Sequence, residues 1–175
     1  MNTRIFLTLI LLISAIAFGY SQETCKIKKG RYTTYVYEQS YNQFAQCDET
    51  YVTVQGFDNS LYPYMGAVYY RPKASTDNEK EIVLGVVKKY NRRKLPKRLI
   101  IDVFCNLQGT VDTLEFNYEG TKIVSPKFFE DLTVAFKKEY RMTGITKLKV
   151  QGFDYDIEYS KKVKGIKYTV FVDLK

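Results

Sequence analysis

The sequence has 175 residues, of which 45% are hydrophobic, so it can form one domain with a substantial core, and its composition argues against disorder. It carries 27 lysine and arginine residues against 19 acidic residues, and the net charge of +8 suits anionic partners, although solubility and non-specific attraction are the favoured interpretation. Histidine is absent, which excludes Ser-His-Asp and Cys-His catalysis in their usual forms and removes the commonest metal ligand.

The first 22 residues have the three parts of a secretory signal peptide. Arg4 supplies a positive charge, residues 5–18 form an uncharged apolar run, and small residues follow. The run is shorter than the roughly 20 residues of a membrane-spanning helix. We therefore expect an exported protein, periplasmic or secreted, with no integral membrane span after cleavage. The alternative is an uncleaved N-terminal anchor.

The three cysteines have different expected roles. Cys25 and Cys47 lie in the same N-terminal segment and could close a disulfide loop in an oxidising compartment. Cys105 continues an alternating apolar series, which predicts a buried thiol that acts as a small hydrophobic side chain.

Residues 23–72 form a tyrosine-rich segment with two predicted strands. Residues 32–37 (YTTYVY) and 50–54 (TYVTV) are rich in β-branched and aromatic side chains. Tyrosine is common on half-buried sheets, so most of these side chains are expected in a sheet. A stacking surface for sugars or peptides is the alternative.

A helix is predicted to begin near Thr76, which has capping-box spacing to Glu79. Its apolar face recurs at helical spacing, and Pro96 prevents its continuation. Residues 98–118 then alternate with a period of two around Gly109, which predicts a β-hairpin.

A second helix is predicted after Ser125 and Pro126, as N-cap and first helical residue. Two strands end the chain, with a phase change at Gly152 that indicates a β-bulge, and with strict apolar alternation over 166–174. The predicted fold class is α+β. An antiparallel sheet carries two helices in the order helix, hairpin, helix, strand, strand, and a tyrosine-rich β segment precedes it.

Residues 77–174 resemble the C-terminal domain of TonB-family energy transducers, especially those of Bacteroidota. The resemblance rests on the Leu95-Pro96 step after the first helix, the hairpin around Gly109 and the alternating terminal strand after Gly165. It implies a TonB-like domain over 73–175. It also implies that the final strand, around Tyr168, Val170 and Val172, is an edge that binds a partner.

A basic run occupies the end of the first predicted helix and the residues after it, and is a candidate binding patch for phosphate groups. Its members are Lys88, Lys89, Arg92, Arg93, Lys94, Lys97 and Arg98. The alternative is a solvated helix end whose charge matches the helix dipole. The predicted export and the lack of a sequence motif for nucleic-acid recognition argue against nucleic acid as the partner. Asp154, Asp156 and Glu158 alternate along one strand face and could supply oxygen ligands to Ca²⁺, but their alternation with apolar residues favours a polar outer face. We predict no metal site and no cofactor.

These patterns together predict an exported, non-enzymatic interaction domain of the cell envelope. Its partner would be an envelope protein or peptide bound by edge-strand pairing, with anionic surface polymers as a further possibility. The alternative is a secreted ligand-binding or inhibitor-like protein that uses the tyrosine-rich N-terminal surface. An enzyme is the least favoured reading.

Overall fold

The computed structural model describes residues 24–62, 78–142, 147–150, 153–156 and 165–174. The predicted export signal, the predicted helix cap Thr76, the predicted bulge at Gly152 and Glu158 lie outside the described residues. All structural statements below concern the described residues.

The described residues form strands and helices in the following chain order. They are β1 (Thr24–Lys29), β2 (Thr34–Asn42), β3 (Cys47–Val54), α1 (Asn78–Val87), β4 (Arg98–Asn106), β5 (Val111–Glu119), α2 (Pro126–Glu139), β6 (Lys147–Val150), β7 (Phe153–Asp156) and β8 (Gly165–Asp173). Short 3-10 turns occupy Asn59–Leu61 and Arg92–Lys94.

Six of these strands form one antiparallel sheet in the order β1-β2-β3-β5-β4-β8, and β6 pairs with β7 separately. The tyrosine-rich segment joins the rest through β3, which pairs with β5 so that Val52 lies opposite Phe116. The fold class is therefore α+β, with two helices and an antiparallel sheet. Residues from both halves of the chain share that sheet.

Both helices contribute to a single core that covers one face of the sheet. In β4 the core-facing residues Leu99, Ile101, Val103 and Cys105 alternate, as a strand with one covered face requires, and Phe104 is buried from the other face. In α2 the buried residues Phe128, Leu132 and Phe136 recur every four positions, and Phe129 lies beside this stripe. The apolar side of β4 and the apolar stripe of α2 belong to the same core, which removes apolar surface from water on both elements.

Phe129 of α2 lies at the centre of this core. It is fully buried, and its ring centroid is 4.6 Å from that of Phe116 and 6.1 Å from that of Tyr37. Tyr35, Tyr118 and Phe128 surround it at 5.4 to 6.2 Å. These partners belong to β2, β5 and α2. The Phe129 side chain therefore connects β2 of the tyrosine-rich segment to β5 and α2.

A buried carboxylate fixes the turn between β1 and β2 against α2. Glu130 accepts hydrogen bonds from the backbone N–H groups of Tyr32 at 2.8 Å and Thr33 at 3.1 Å. Burial raises the pKa of Glu130, but these backbone hydrogen bonds outweigh it and leave the pKa below its usual value. A Cβ on Gly30 would clash with this carboxylate, so the close approach requires glycine.

Two local features differ from the sequence prediction. The helix α1 ends at Val87, so Lys88 and Lys89 follow it in a turn and do not form its last turn. Ser125 occupies the N-cap of α2 with Pro126 next to it, but its side chain makes no capping hydrogen bond.

We predict that Phe129→Ala lowers the free energy of unfolding by about 3–5 kcal/mol, because it removes the ring that five aromatic neighbours contact. Phe44→Ala is the matched control: that ring is fully exposed, and its loss should change stability by less than about 0.5 kcal/mol. Urea denaturation measures both. Equal effects of the two variants would contradict this account of the core.

Candidate functional site

The surface of the sheet opposite the helices, which we call the open face, carries a row of side chains in register. Tyr51 of β3 lies opposite Asn117 of β5, which lies opposite Ile100 of β4, which lies opposite Phe171 of β8. Phe171 is 54% exposed and Tyr51 is 39% exposed, while Ile100 is half-buried. We call Tyr51, Ile100 and Phe171 the apolar row.

One end of the open face is covered by the chain that follows β3. Phe57 and Tyr62 each place a ring 5.1 Å from that of Phe104, which is completely buried. The Tyr62 hydroxyl donates a hydrogen bond to Asp112 at 2.6 Å and fixes this cover in place. The apolar row lies farther along the strands, where its members remain accessible.

A polar cluster separates the cover from the apolar row. Lys167 Nζ lies 2.9 Å from Asp102 Oδ2, and the Thr169 hydroxyl donates to Asp102 Oδ1 at 2.6 Å. Glu115 lies opposite Asp102 in the ladder. Burial, together with the nearby Asp102 charge, raises the pKa of Glu115, although Lys167 and a hydrogen bond from Asn59 oppose the shift.

The open face is acidic although the whole chain is basic. Among the described residues, strand register places six carboxylates on it, against the three cations Lys29, Arg98 and Lys167; the acids are Glu38, Glu49, Asp102, Glu115, Glu119 and Asp173. Glu49 is held in place beside the apolar row by the Tyr51 hydroxyl at 2.8 Å. The surface thus offers aromatic contacts within a negative field.

The two edges of the six-stranded sheet differ in character. β1 pairs with β2 alone, all six of its residues are exposed, and three of them are lysine. Lysine-rich, fully solvated edges resist strand pairing. β8 is a nine-residue strand that pairs with β4 along its whole length, and β4 is its one strand neighbour in the part of the chain that the structure describes.

The three residues proposed for partner contact have side chains that point the other way. Tyr168, Val170 and Val172 are at most 7% exposed and face the core. Their strand does form a sheet edge, but their side chains cannot touch a partner on the open face. The alternation that made them conspicuous is the signature of burial, and the accessible side chains of β8 are those between them.

Cys25 and Cys47 do not form the disulfide considered from the sequence. Both are free, and β2 lies between their strands. Cys25 pairs with Glu38 of β2 and Cys47 with Asn42, so they are four residues out of register, about 13 Å along the strands. A disulfide needs Cα atoms within about 7 Å.

Cys105 is fully buried, as its place in the alternating series predicted. Burial raises the pKa of its thiol to about 12, so the thiolate that would act as a nucleophile is disfavoured.

The basic run divides between several environments. Lys88 and Lys89 follow α1, while Arg92, Arg93 and Lys94 form the 3-10 turn. Arg98 begins β4 and pairs with Asp173 at 2.9 Å. Arg93 and Lys97 line a cleft together with Lys122, which comes from the segment after β5. The sequence did not point to Lys122, because it lies 25 residues from Lys97.

The tyrosines of the N-terminal segment also divide. Tyr35 and Tyr37 are core residues, whereas Tyr32 and Tyr41 are 77% and 60% exposed. Tyr64, Tyr69 and Tyr70 lie outside the described residues. A continuous stacking surface therefore cannot include the buried pair.

The part of the chain that the structure describes contains no cluster of three or more cysteine, aspartate or glutamate side chains arranged to hold a metal ion. Its helices are all too short or too polar to cross a bilayer.

The fold and its surfaces define an α+β domain with one helix-covered face and one open face. It is similar to the crystal structure of a DUF5043 family protein from Bacteroides uniformis, with a TM-score of 0.50 and 14% identity. The match covers 88% of this chain and 86% of that one, and at this identity it concerns the fold alone. No protein-family model and no curated protein matches the sequence.

We predict that Glu115→Gln stabilises the protein at neutral pH. The raised pKa means that the folded state binds this proton more tightly than the unfolded state does, so the stability it contributes is present below the usual value of 4.5 and is lost as the pH rises through the folded pKa. Glutamine removes the ionisation. The free energy of unfolding should therefore exceed that of the parent at pH 7 and match it near about pH 3.5.

The control is Glu139→Gln, which removes an exposed carboxylate at the end of α2, on the other side of the sheet. It should change the free energy of unfolding at pH 7 by less than about 0.5 kcal/mol, as urea titrations would show. A Glu115→Gln protein that is less stable than the parent at pH 7 would contradict the burial of this charge.

Proposed function

We propose that this protein is an exported, non-enzymatic interaction domain that binds an extended segment of an envelope protein by adding it as a strand beside β8. In this mode, main-chain hydrogen bonds supply affinity and alternate side chains supply specificity. The observation that carries the proposal is the contrast between the edges: β8 is long and regular with an exposed aromatic residue, whereas β1 carries three lysines.

The sheet presents β8 as a rigid template. Its nine residues pair with β4 without a break from Gly165 to Asp173. Its core-facing side chains are anchored beneath the helices, so the outer backbone groups are held in line. A preformed edge costs little conformational entropy on binding, because the segment that must become ordered is the partner's.

The accessible side chains of β8 predict which partner sequence would pair with it best. A strand beside β8 places every second side chain on the open face, next to Asp173, Phe171 and Thr169 in turn. Phe171 favours an aromatic or β-branched neighbour that extends the apolar row. Asp173 and the negative open face favour a lysine or arginine two residues away. The preferred partner is therefore an amphipathic basic strand.

The sequence adds independent support for this function. The N-terminal residues resemble an export signal, which would place the domain among envelope proteins. The order of helix, hairpin, helix and terminal strand resembles the TonB C-terminal domain, in which the final strand is the partner-binding edge. We therefore propose the N-terminal segment of an outer-membrane receptor as the first partner to test.

A second candidate function is ligand binding by exposed rings at the ends of the N-terminal strands, far along the sheet from β8. Tyr32 is 77% exposed with the Arg31 guanidinium 5.6 Å from its ring centre, and Tyr41 and Phe44 are also exposed. Such rings can stack on sugars. A glycan array separates the two functions, because strand addition predicts no saturable glycan binding that depends on Tyr32.

We predict that Phe171→Lys weakens the binding of synthetic peptides with alternating aromatic and basic residues by about three- to tenfold, through a lost cross-strand contact and added repulsion. Phe44→Lys makes the same chemical change at an exposed ring far from β8 and should leave the affinity unchanged. Fluorescence anisotropy with labelled peptides measures both.

Amide exchange tests the same edge without a partner. Alternate amides of β8 should exchange faster than those of β4 in the free protein and become protected when the peptide is added. Full protection of β8 in the free monomer would overturn the proposal, and so would equal affinities of the Phe171 and Phe44 variants.

A further inference from the structure

Three cations from two separate segments converge on one cleft at the end of the sheet. Arg93 and Lys97 come from the connection before β4, and Lys122 comes from the connection after β5. The cleft has a volume of about 250 Å³, and buried Leu95 and Tyr118 contribute to its wall. It thus combines positive side chains with an apolar floor.

Hydrogen bonds fix the two segments relative to each other. Lys122 Nζ donates to the Arg93 carbonyl at 3.2 Å, and the Tyr118 hydroxyl donates to the Lys122 carbonyl at 2.8 Å. The Asn91 side chain accepts from the Arg93 N–H at 3.0 Å and caps the 3-10 turn. The cations are therefore carried on a backbone whose position is set by the fold.

The described residues supply no ion-pair partner for the cations of the cleft. Among the described residues, Arg93, Lys97 and Lys122 make no ion pair, whereas Arg98 of the same basic run is paired with Asp173. Glu119 is the one acid on the wall, and it is exposed. Unpaired charges of one sign around a concave surface focus the electrostatic potential and attract a counter-ion.

We propose that this cleft binds a phosphate group carried on a small organic group. The guanidinium of Arg93 can engage two phosphate oxygens at once, and the two ammonium groups can complete the neutralisation of a dianion. The cleft is smaller than the roughly 300–1,000 Å³ of typical ligand pockets, so it suits a headgroup better than a large cofactor. The phosphate can belong to a soluble metabolite or to a lipid headgroup.

This proposal does not depend on strand addition, because no cleft residue belongs to β8. It also sharpens the sequence prediction of a basic patch. Lys88 and Lys89 belong to the run but not to the cleft, while Lys122 belongs to the cleft but not to the run.

The experiment compares two double variants that lose the same charge. Arg93→Gln with Lys122→Gln removes cations inside the cleft, and Arg92→Gln with Lys89→Gln removes exposed cations beside it. All four side chains are exposed, so both proteins should fold. The full-length chain is titrated at physiological ionic strength with inorganic phosphate and with glycerol 3-phosphate, followed by amide NMR shifts.

We expect saturable shifts confined to residues 93–97 and 118–124. The cleft variant should lose at least about tenfold in affinity, and the control variant less than about twofold. A second arm uses phosphatidylcholine vesicles with and without phosphatidic acid. Binding to the acidic vesicles but not to glycerol 3-phosphate identifies a lipid source, and binding to glycerol 3-phosphate identifies a soluble one.

Two results would overturn the proposal. Equal losses in the two variants would mean that general attraction to a basic surface explains the binding. Shifts that do not saturate with any of the probes would mean that the cleft has no phosphate site.

Discussion

The pairing of β3 with β5 is the constraint on which the rest of the structure depends. It involves four residue pairs, from Glu49 with Glu119 to Val52 with Phe116, and it connects segments more than 60 residues apart. Closing so long a loop costs conformational entropy. The compensation comes from the covered face, where the Val52–Phe116 pair lies beneath α2 and brings Tyr37 of β2 against Phe129.

The same pairing determines what the open face displays. Neighbouring residues of a strand point to opposite faces, so the register that buries Val52 also exposes Tyr51 beside Asn117. A slip of one residue would turn Tyr51 and Glu49 toward the core and Val52 toward water. The core and the apolar row are therefore two consequences of one register. The burial of Phe116 and Val52 stabilises the surface on which Phe171 is displayed.

The local elements of this fold could be predicted because their signals are short in range. The alternation from Leu99 to Cys105 and the stripe from Phe128 to Phe136 each report burial on one side of one element. No such local pattern indicates which strand pairs with which. Thr50 and Val52 alternate as they would in any half-buried strand, so their pairing with β5 was invisible to sequence reasoning.

The candidate sites were harder to predict for related reasons. Tyrosine suits both the core and the surface, so composition could not separate buried Tyr37 from exposed Tyr41. Cys25 and Cys47 are close in sequence, but an intervening strand separates them. Apolar alternation drew attention to Tyr168 and Val170, although in an edge strand the side chains between the apolar ones are the accessible ones.

The net charge of the chain conceals a division that matters for both proposals. The open face carries an excess of carboxylates, whereas the cleft is lined by Arg93, Lys97 and Lys122, which make no ion pair among the described residues, so a single value of +8 describes neither surface. The two regions meet at the end of β8. There Asp173 pairs with Arg98, and the Leu174 N–H donates to the Lys97 carbonyl at 2.7 Å.

At this junction the open face beside β8 and the cleft around Arg93 present different chemical groups to a partner. The Arg98–Asp173 pair is exposed, and exposed pairs contribute only about 0–1 kcal/mol, so a basic residue of an added strand can compete for Asp173 at little cost. Lys97, in contrast, is tied through its backbone to the end of β8 while its side chain lines the cleft. The edge and the cleft therefore share a backbone junction but not a binding group, and each can be altered by mutation without removing a side chain from the other.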